Sequence, residues 1–196
     1  MANFYIADTH FGHQNVLKYD TRPFADLGEM EDALVENWNR AITEADTVYI
    51  LGDFIWGKKQ SEWLRLTEQL RGEKVLLRGN HDLGREQMSM ELLARFETVA
   101  DYLEIMDEGR HVTLCHYPIL FYRGSYRPNC YMLCGHVHRT RENDYLERCK
   151  AQMRADEQAG RGNIYNVGCM MPYMNYTPRT LNEILSAAEG SEEKWL

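Results

Sequence analysis

A mixed α/β fold is predicted by three features of this 196-residue sequence. Short apolar runs stop abruptly at glycine, aspartate or histidine, apolar residues recur every four positions between them, and one hairpin signal lies in the second half. The first run, Phe4 to Ala7, has the length of a buried strand and leads into Asp8-Thr9-His10. Met30, Leu34, Trp38 and Ile42 then mark one face of a helix. Thr47 to Leu51 repeats the strand design and ends at Gly52-Asp53. Ser61 is placed to cap a helix carrying Trp63, Leu66 and Leu70, with Gly72 as its stop. Lys74 to Leu77 is the third strand, running toward Gly79-Asn80-His81-Asp82.

The second half adds a different pairing. Tyr102 to Met106 and Arg110 to Cys115, joined through Asp107-Glu108-Gly109, predict a hairpin, so antiparallel strands join a sheet that is otherwise parallel. The latter run ends at His116, and Tyr131 to Cys134 ends at Gly135-His136-Val137-His138. Residues 141–162 are polar and charged and predict an exposed helix or a mobile loop. Ile164 to Val167 is a late strand, and Thr180-x-x-Glu183 forms a capping box for a final helix with Leu181, Ile184 and Leu185. No repeat or low-complexity linker divides the chain, and 44% hydrophobic residues supply a core, so residues 1–196 are read as a single domain.

Composition excludes several classes. The longest apolar stretches are four to six residues, against roughly 20 for a bilayer span. Met1-Ala2-Asn3 enters a strand run with no basic leader, so a soluble, cytoplasmic protein without a membrane partner is expected. A formal net charge of -8 argues against a broad grip on long nucleic acid. Five cysteines without a C-x-x-C pair suggest neither a disulfide framework nor a thiolate zinc site.

The chemistry-bearing residues stand where strands end. Asp8 and His10 are two apart and can converge on one ion at a strand end. Asp53 follows a glycine that permits close backbone approach, and its two oxygens can bridge two ions. Asn80 offers a neutral carbonyl ligand, and His81 beside it can reach a substrate. His136 and His138 put two imidazoles on one side of an extended segment, and His116 adds another at a strand end. Pooled imidazole nitrogens, carboxylates and one amide oxygen describe a site for divalent cations.

The order Asp-x-His, Gly-Asp, Gly-Asn-His-Asp, His, Gly-His-x-His, covering residues 8 to 138, resembles the calcineurin-like metallophosphoesterase superfamily, in particular its small bacterial or phage members. The resemblance implies a four-layer αββα sandwich with mixed β-sheets and a dinuclear metal site at the strand ends. By the same resemblance, Asp8, His10, Asp53 and His138 hold one metal, while Asp53, Asn80, His116 and His136 hold the other. His81 matches the family's non-ligand histidine, which acts on the substrate, and Asn166-Val167-Gly168 is similar to its late Asn-x-Gly segment. The implied activity is hydrolysis of a small phosphodiester or phosphomonoester by a hydroxide bridging two divalent metals, with His81 assisting the leaving group. Two ions about 3.5–4 Å apart acidify a shared water and neutralise phosphoryl charge. A mixed nitrogen and oxygen set suits Mn²⁺, Fe²⁺, Co²⁺, Ni²⁺ or Zn²⁺.

One departure separates this chain from the Ser/Thr protein phosphatases of the superfamily. Their second motif continues to an aspartate that orients the catalytic histidine, whereas here Gly52-Asp53 is followed by Phe54-Ile55-Trp56-Gly57, so that activity is demoted. The alternatives are a nuclease or nucleotide phosphodiesterase, and a non-catalytic scaffold on the same fold. His13 reads as solvent-facing or loop-pinning, and His111 as structural. Arg123 and Arg127 read as surface arginines, although guanidinium forks suit phosphate. Of Trp38, Trp56, Trp63 and Trp195, only Trp56 is a candidate substrate-side aromatic, and no substrate-binding residue is otherwise assigned.

Overall fold

The computed structural model of the chain describes residues 1–57, 59–156 and 159–192. Two mixed sheets carry it. The first has five strands in the order β4(Thr98–Ala100), β3(Glu73–Leu77), β2(Thr47–Ile50), β1(Asn3–Ile6) and β9(Arg179–Thr180). Its first four strands are parallel, and β9 is antiparallel to β1. The second has four, β5(Tyr102–Asp107), β6(Arg110–Cys115), β7(Cys130–Cys134) and β8(Ile164–Asn166), antiparallel at β5/β6 and parallel beyond. Asp107 pairs with Arg110, leaving Glu108-Gly109 as a two-residue turn with φ of 47° and 80°, a geometry that matches strand twist.

Side-chain alternation assembles the layers. Val112, Leu114 and Leu133 face the core shared with the first sheet, while Cys130, Met132, Cys134 and Ile164 face outward onto helix α5(Arg141–Ala155) through Leu146. Tyr5 crosses between sheets to donate to Asp107 Oδ2 at 2.9 Å. Helices α2(Leu27–Ala41) and α3(Gln60–Gln69) bury Met30, Leu34, Trp38, Trp63 and Leu66 in the same core. The architecture is the four-layer αββα sandwich with mixed sheets. Short helices α1(Val16–Tyr19) and α4(Met90–Leu93) follow β1 and β3.

Local expectations divide. Thr180 and Glu183 form the reciprocal cap of α6(Leu181–Glu192), with Thr180 N donating to Glu183 Oε2 at 2.8 Å and Glu183 N donating to Thr180 Oγ1 at 3.3 Å. Ser61 is not a cap: α3 begins at Gln60, two residues before the start a Ser61 cap would set, with Lys59 at the cap position and no side-chain cap. The polar segment after His138 is a helix whose Leu146, Lys150 and Met153 are buried, capped by Thr140 accepting from Glu142 N. Trp195 lies outside the described residues. Among the described residues no helix is long and apolar enough to cross a membrane.

Candidate metal centre

Parallel strands present their carboxyl ends at one edge, and both sheets do so side by side. Past β1, β2 and β3 come Asp8 and His10, Asp53, then Asn80 and His81; past β6 and β7 come His116, then His136 and His138. The loops continue the ladder. Asp8 N donates to Gly52 O, His10 N to Asp53 O and Phe11 N to Phe54 O, each at 3.0 Å. Gly135 N donates to His116 O at 2.9 Å. Asp8, His10, Asp53, His136 and His138 all take positive φ, between 44° and 69°, a backbone region that L residues adopt uncommonly, aspartate and histidine more often than most.

Those backbones aim eight side chains at one another. Asp8, His10, Asp53 and His138 each bring one ligand atom within 4.8 Å of the others. Asp53 Oδ2 is faced by the Nε2 atoms of His10 at 3.6 Å, His116 at 3.7 Å and His81 at 3.9 Å. Asn80 Oδ1 lies 3.1 Å from His116 Nε2 and 3.0 Å from His136 Nδ1. Gly52, at φ 84°, permits the crossing: a Cβ there would sit 2.5 Å from His116 Nδ1 and 2.6 Å from Gly79 N.

The donor set fits a divalent cation. His116 Nδ1 donates to the Leu51 carbonyl at 2.9 Å, which in the neutral ring leaves Nε2 as a lone pair facing Asn80 Oδ1 and the Asp53 carboxylate. His138 Nδ1 donates to Asp20 Oδ1 at 2.7 Å, leaving its Nε2 toward Asp8 Oδ1 at 3.7 Å and His10 Nε2 at 3.3 Å. Burial pushes the Asp8 carboxyl up to about 7 and pulls His10 and His116 down, so these three favour uncharged forms, whereas His138 is raised, its burial outweighed by the hydrogen bond to Asp20 and the charges of Asp8 and Asp20. A cation among converging lone pairs reverses the pressure on the carboxyl and acts with burial on the imidazoles, which ligate in their neutral form.

The family model for calcineurin-like phosphoesterases matches residues 4–157, spanning every one of these blocks. The chain belongs to the calcineurin-like phosphoesterase family. Uncharacterized protein MJ1445 of Methanocaldococcus jannaschii is 48% identical over 80 residues, 40% of this chain and 46% of that protein. The gene 66 protein of Mycobacterium phage L5 is 37% identical over 86 residues, 42% of this chain and 41% of that one. The match thus spans less than half the length of either relative. Across nearly the whole fold, the chain is similar to the crystal structure of AQ665 from Aquifex aeolicus, a protein of unknown function. The TM-score there is 0.66 at 27% identity, covering 94% of this chain and 98% of that one.

Three features of the centre escape sequence spacing. Of the two readings of His13, solvent-facing and loop-pinning, the first fails: the ring is buried, stacks on Trp56 at 3.7 Å with planes 7° apart, and puts Nδ1 3.3 Å from His10 Nδ1. Trp56 also meets His81, ring centroids 4.6 Å apart, so an indole stands beside the histidine whose Nε2 is 3.9 Å from Asp53 Oδ2. Asp82 accepts from the backbone N–H groups of Asp53, Gly79 and Phe54 at 2.8–2.9 Å, tying the second and third loops together, while burial raises its carboxyl to about 6. The arginines lie elsewhere. Arg123 pairs with Glu104 on the second sheet at 3.0 Å and lines a cavity of about 190 Å³ with His111 and Arg127, at the opposite end of β6 from His116.

Proposed function

We propose that this chain is a metal-dependent phosphoesterase, a hydrolase of phosphodiester or phosphomonoester bonds, whose residues 1–196 act as one domain. The observation that carries the reading is the convergence of three imidazole Nε2 atoms on Asp53 Oδ2 within 3.9 Å, with Asp8, Asn80, His136 and His138 around them. Asp8, His10, Asp53 and His138 would hold one divalent ion, and Asp53, Asn80, His116 and His136 a second, drawn from Mn²⁺, Fe²⁺, Co²⁺, Ni²⁺ or Zn²⁺. Such ions supply a water of lowered pKa and neutralise charge on phosphoryl oxygens.

The chain's own groups do the rest. The Asp53 carboxylate offsets repulsion between two cations. His81 is 40% exposed on its side chain, so it is open to a substrate while Trp56 limits its swing. From there its Nε2 donates a proton to the departing alkoxide or steadies the charge that develops on it, a role worth roughly 10²- to 10⁴-fold.

A second reading, nucleotide phosphodiesterase, is favoured by the exposed rings at the rim. Trp56, 38% exposed, adjoins His81, and Tyr117, 46% exposed, lies 4.6 Å from the His136 ring, so a planar base has surfaces to stack on. The test is a reconstitution. Protein stripped with chelator and reloaded with Mn²⁺ is assayed on p-nitrophenyl phosphate, bis(p-nitrophenyl) phosphate, nucleotides and oligonucleotides. Hydrolysis that follows metal content supports the proposal, and faster turnover of nucleoside diesters selects the second reading. Bound metal with no hydrolysis across the panel refutes both and leaves a non-catalytic scaffold.

A further inference from the structure

Against the His138 ring and the Asp8–Thr9 backbone lies a buried ion pair. Arg22 follows α1 at a turn where Thr21 takes φ 52°, and its side chain is fully buried. Nε and Nη2 both donate to Asp20 Oδ2, at 3.0 and 2.8 Å. Nη1 also donates to the Thr9 carbonyl at 2.9 Å, and Nη2 to the Asp8 carbonyl at 2.8 Å. The remaining Asp20 oxygen accepts from His138 Nδ1 at 2.7 Å.

A buried ion pair is a poor source of stability, because desolvation offsets most of its attraction, so its geometry asks what it holds in place. It holds two things. The Asp20 contact occupies His138 Nδ1–H, so the neutral ring presents the Nε2 lone pair toward Asp8 Oδ1 and His10 Nε2. The guanidinium simultaneously clamps the carbonyls of residues 8 and 9, between Asp8 at φ 55° and His10 at φ 53°. One cation therefore braces both the loop after β1 and, through Asp20, the loop after β7.

We infer that Asp20 and Arg22 are positioning residues for a bound metal: Asp20 fixes the tautomer and direction of His138, and Arg22 locks Asp20 to the Asp8–Thr9 backbone. The inference rests on reading Asp8, His10, Asp53 and His138 as ligands.

The experiment titrates Mn²⁺ calorimetrically into the chelator-stripped full chain. Asp20→Ala is expected to weaken binding roughly 10- to 100-fold, the usual consequence of deleting an outer carboxylate behind a ligand histidine. Asp20→Asn, which keeps an acceptor for Nδ1 but not the charge, is expected to lose less. Because Asp20→Ala strands a buried guanidinium, the double variant Asp20→Ala/Arg22→Met is measured beside it and is expected to lose at least as much, since the clamp on the Asp8 and Thr9 carbonyls goes with it. A residue acting through His138 has nothing left to act on once that ring is gone, so Asp20→Ala in a His138→Ala background should add less than about two-fold. Long-range ¹H–¹⁵N correlation spectra of the metal-free wild type, recorded at a pH above the titration of this ring, should report His138 as the Nδ1–H tautomer. Wild-type affinity in both Asp20 variants, an undiminished loss in the His138→Ala background, or an Nε2–H tautomer would each overturn the proposal. A wild type that binds no Mn²⁺ sinks the ligand reading itself, a result distinct from binding that ignores Asp20.

Discussion

Two residues carry opposite expectations within one cluster. His81 touches Asp53 Oδ2 only at 3.9 Å and is open to solvent, whereas Asp53 is 2% exposed and faced by three rings. His81→Ala is therefore expected to keep the metal content of the wild type while kcat falls roughly 10²- to 10⁴-fold. Asp53→Asn is expected to lose metal along with turnover. Elemental analysis of both variants beside their kinetics checks this, and the reverse pattern refutes it. What spacing reveals at this scale is a residue whose neighbours in sequence declare it. Asp8, His10, Asn80, His136 and His138 sit in short blocks at the ends of apolar runs. Asp20, Arg22 and His13 do not: each has ordinary neighbours, and its part emerges only when a chain reversal stacks it on a ring or slips it under a ligand.

Among the elements, those with a strong local signal are legible and those built by tertiary contact are not. The spacing-four face of α2, the two-residue turn between β5 and β6, and the Thr180–Glu183 box each follow from interactions a few residues long. Helix α5 is obscured because its buried ridge is Leu146, Lys150 and Met153, and a lysine reads as surface even when its stem is buried. Strands β4 and β9, three and two residues long, are too short for any period to show. The loops at the strand ends have their own energetic requirement. Gly52 stands at φ 84° with no room for a methyl group between His116 and Gly79. Gly52→Ala is expected to destabilise the protein by more than about 1 kcal/mol, because the native backbone there is incompatible with alanine. A lower urea midpoint at unchanged m-value checks this, and an unchanged midpoint would show that the loops yield without cost.

For the molecule as a whole, the ligand candidates come from both sheets: Asp8, His10, Asp53 and Asn80 from the first, His116, His136 and His138 from the second. A bound ion would join them as a strut, and whatever binds only the folded state stabilises it by mass action. Mn²⁺ at 100 times its dissociation constant is expected to add about 2.7 kcal/mol. For a chain of this size that raises the melting temperature by roughly 5–10 °C. Thermal melts with Mn²⁺ and with excess chelator should differ accordingly, and the difference should vanish in Asp53→Asn. The stacking of Trp56 on His13, with His10 6.3 Å away, has an optical consequence. Trp38 and Trp63 are sealed in the core, so the indole at the rim is a resident fluorophore beside the cluster. Emission from the wild type should dim as paramagnetic Mn²⁺ is added and recover with chelator, while Trp56→Phe should remain dark to the titration.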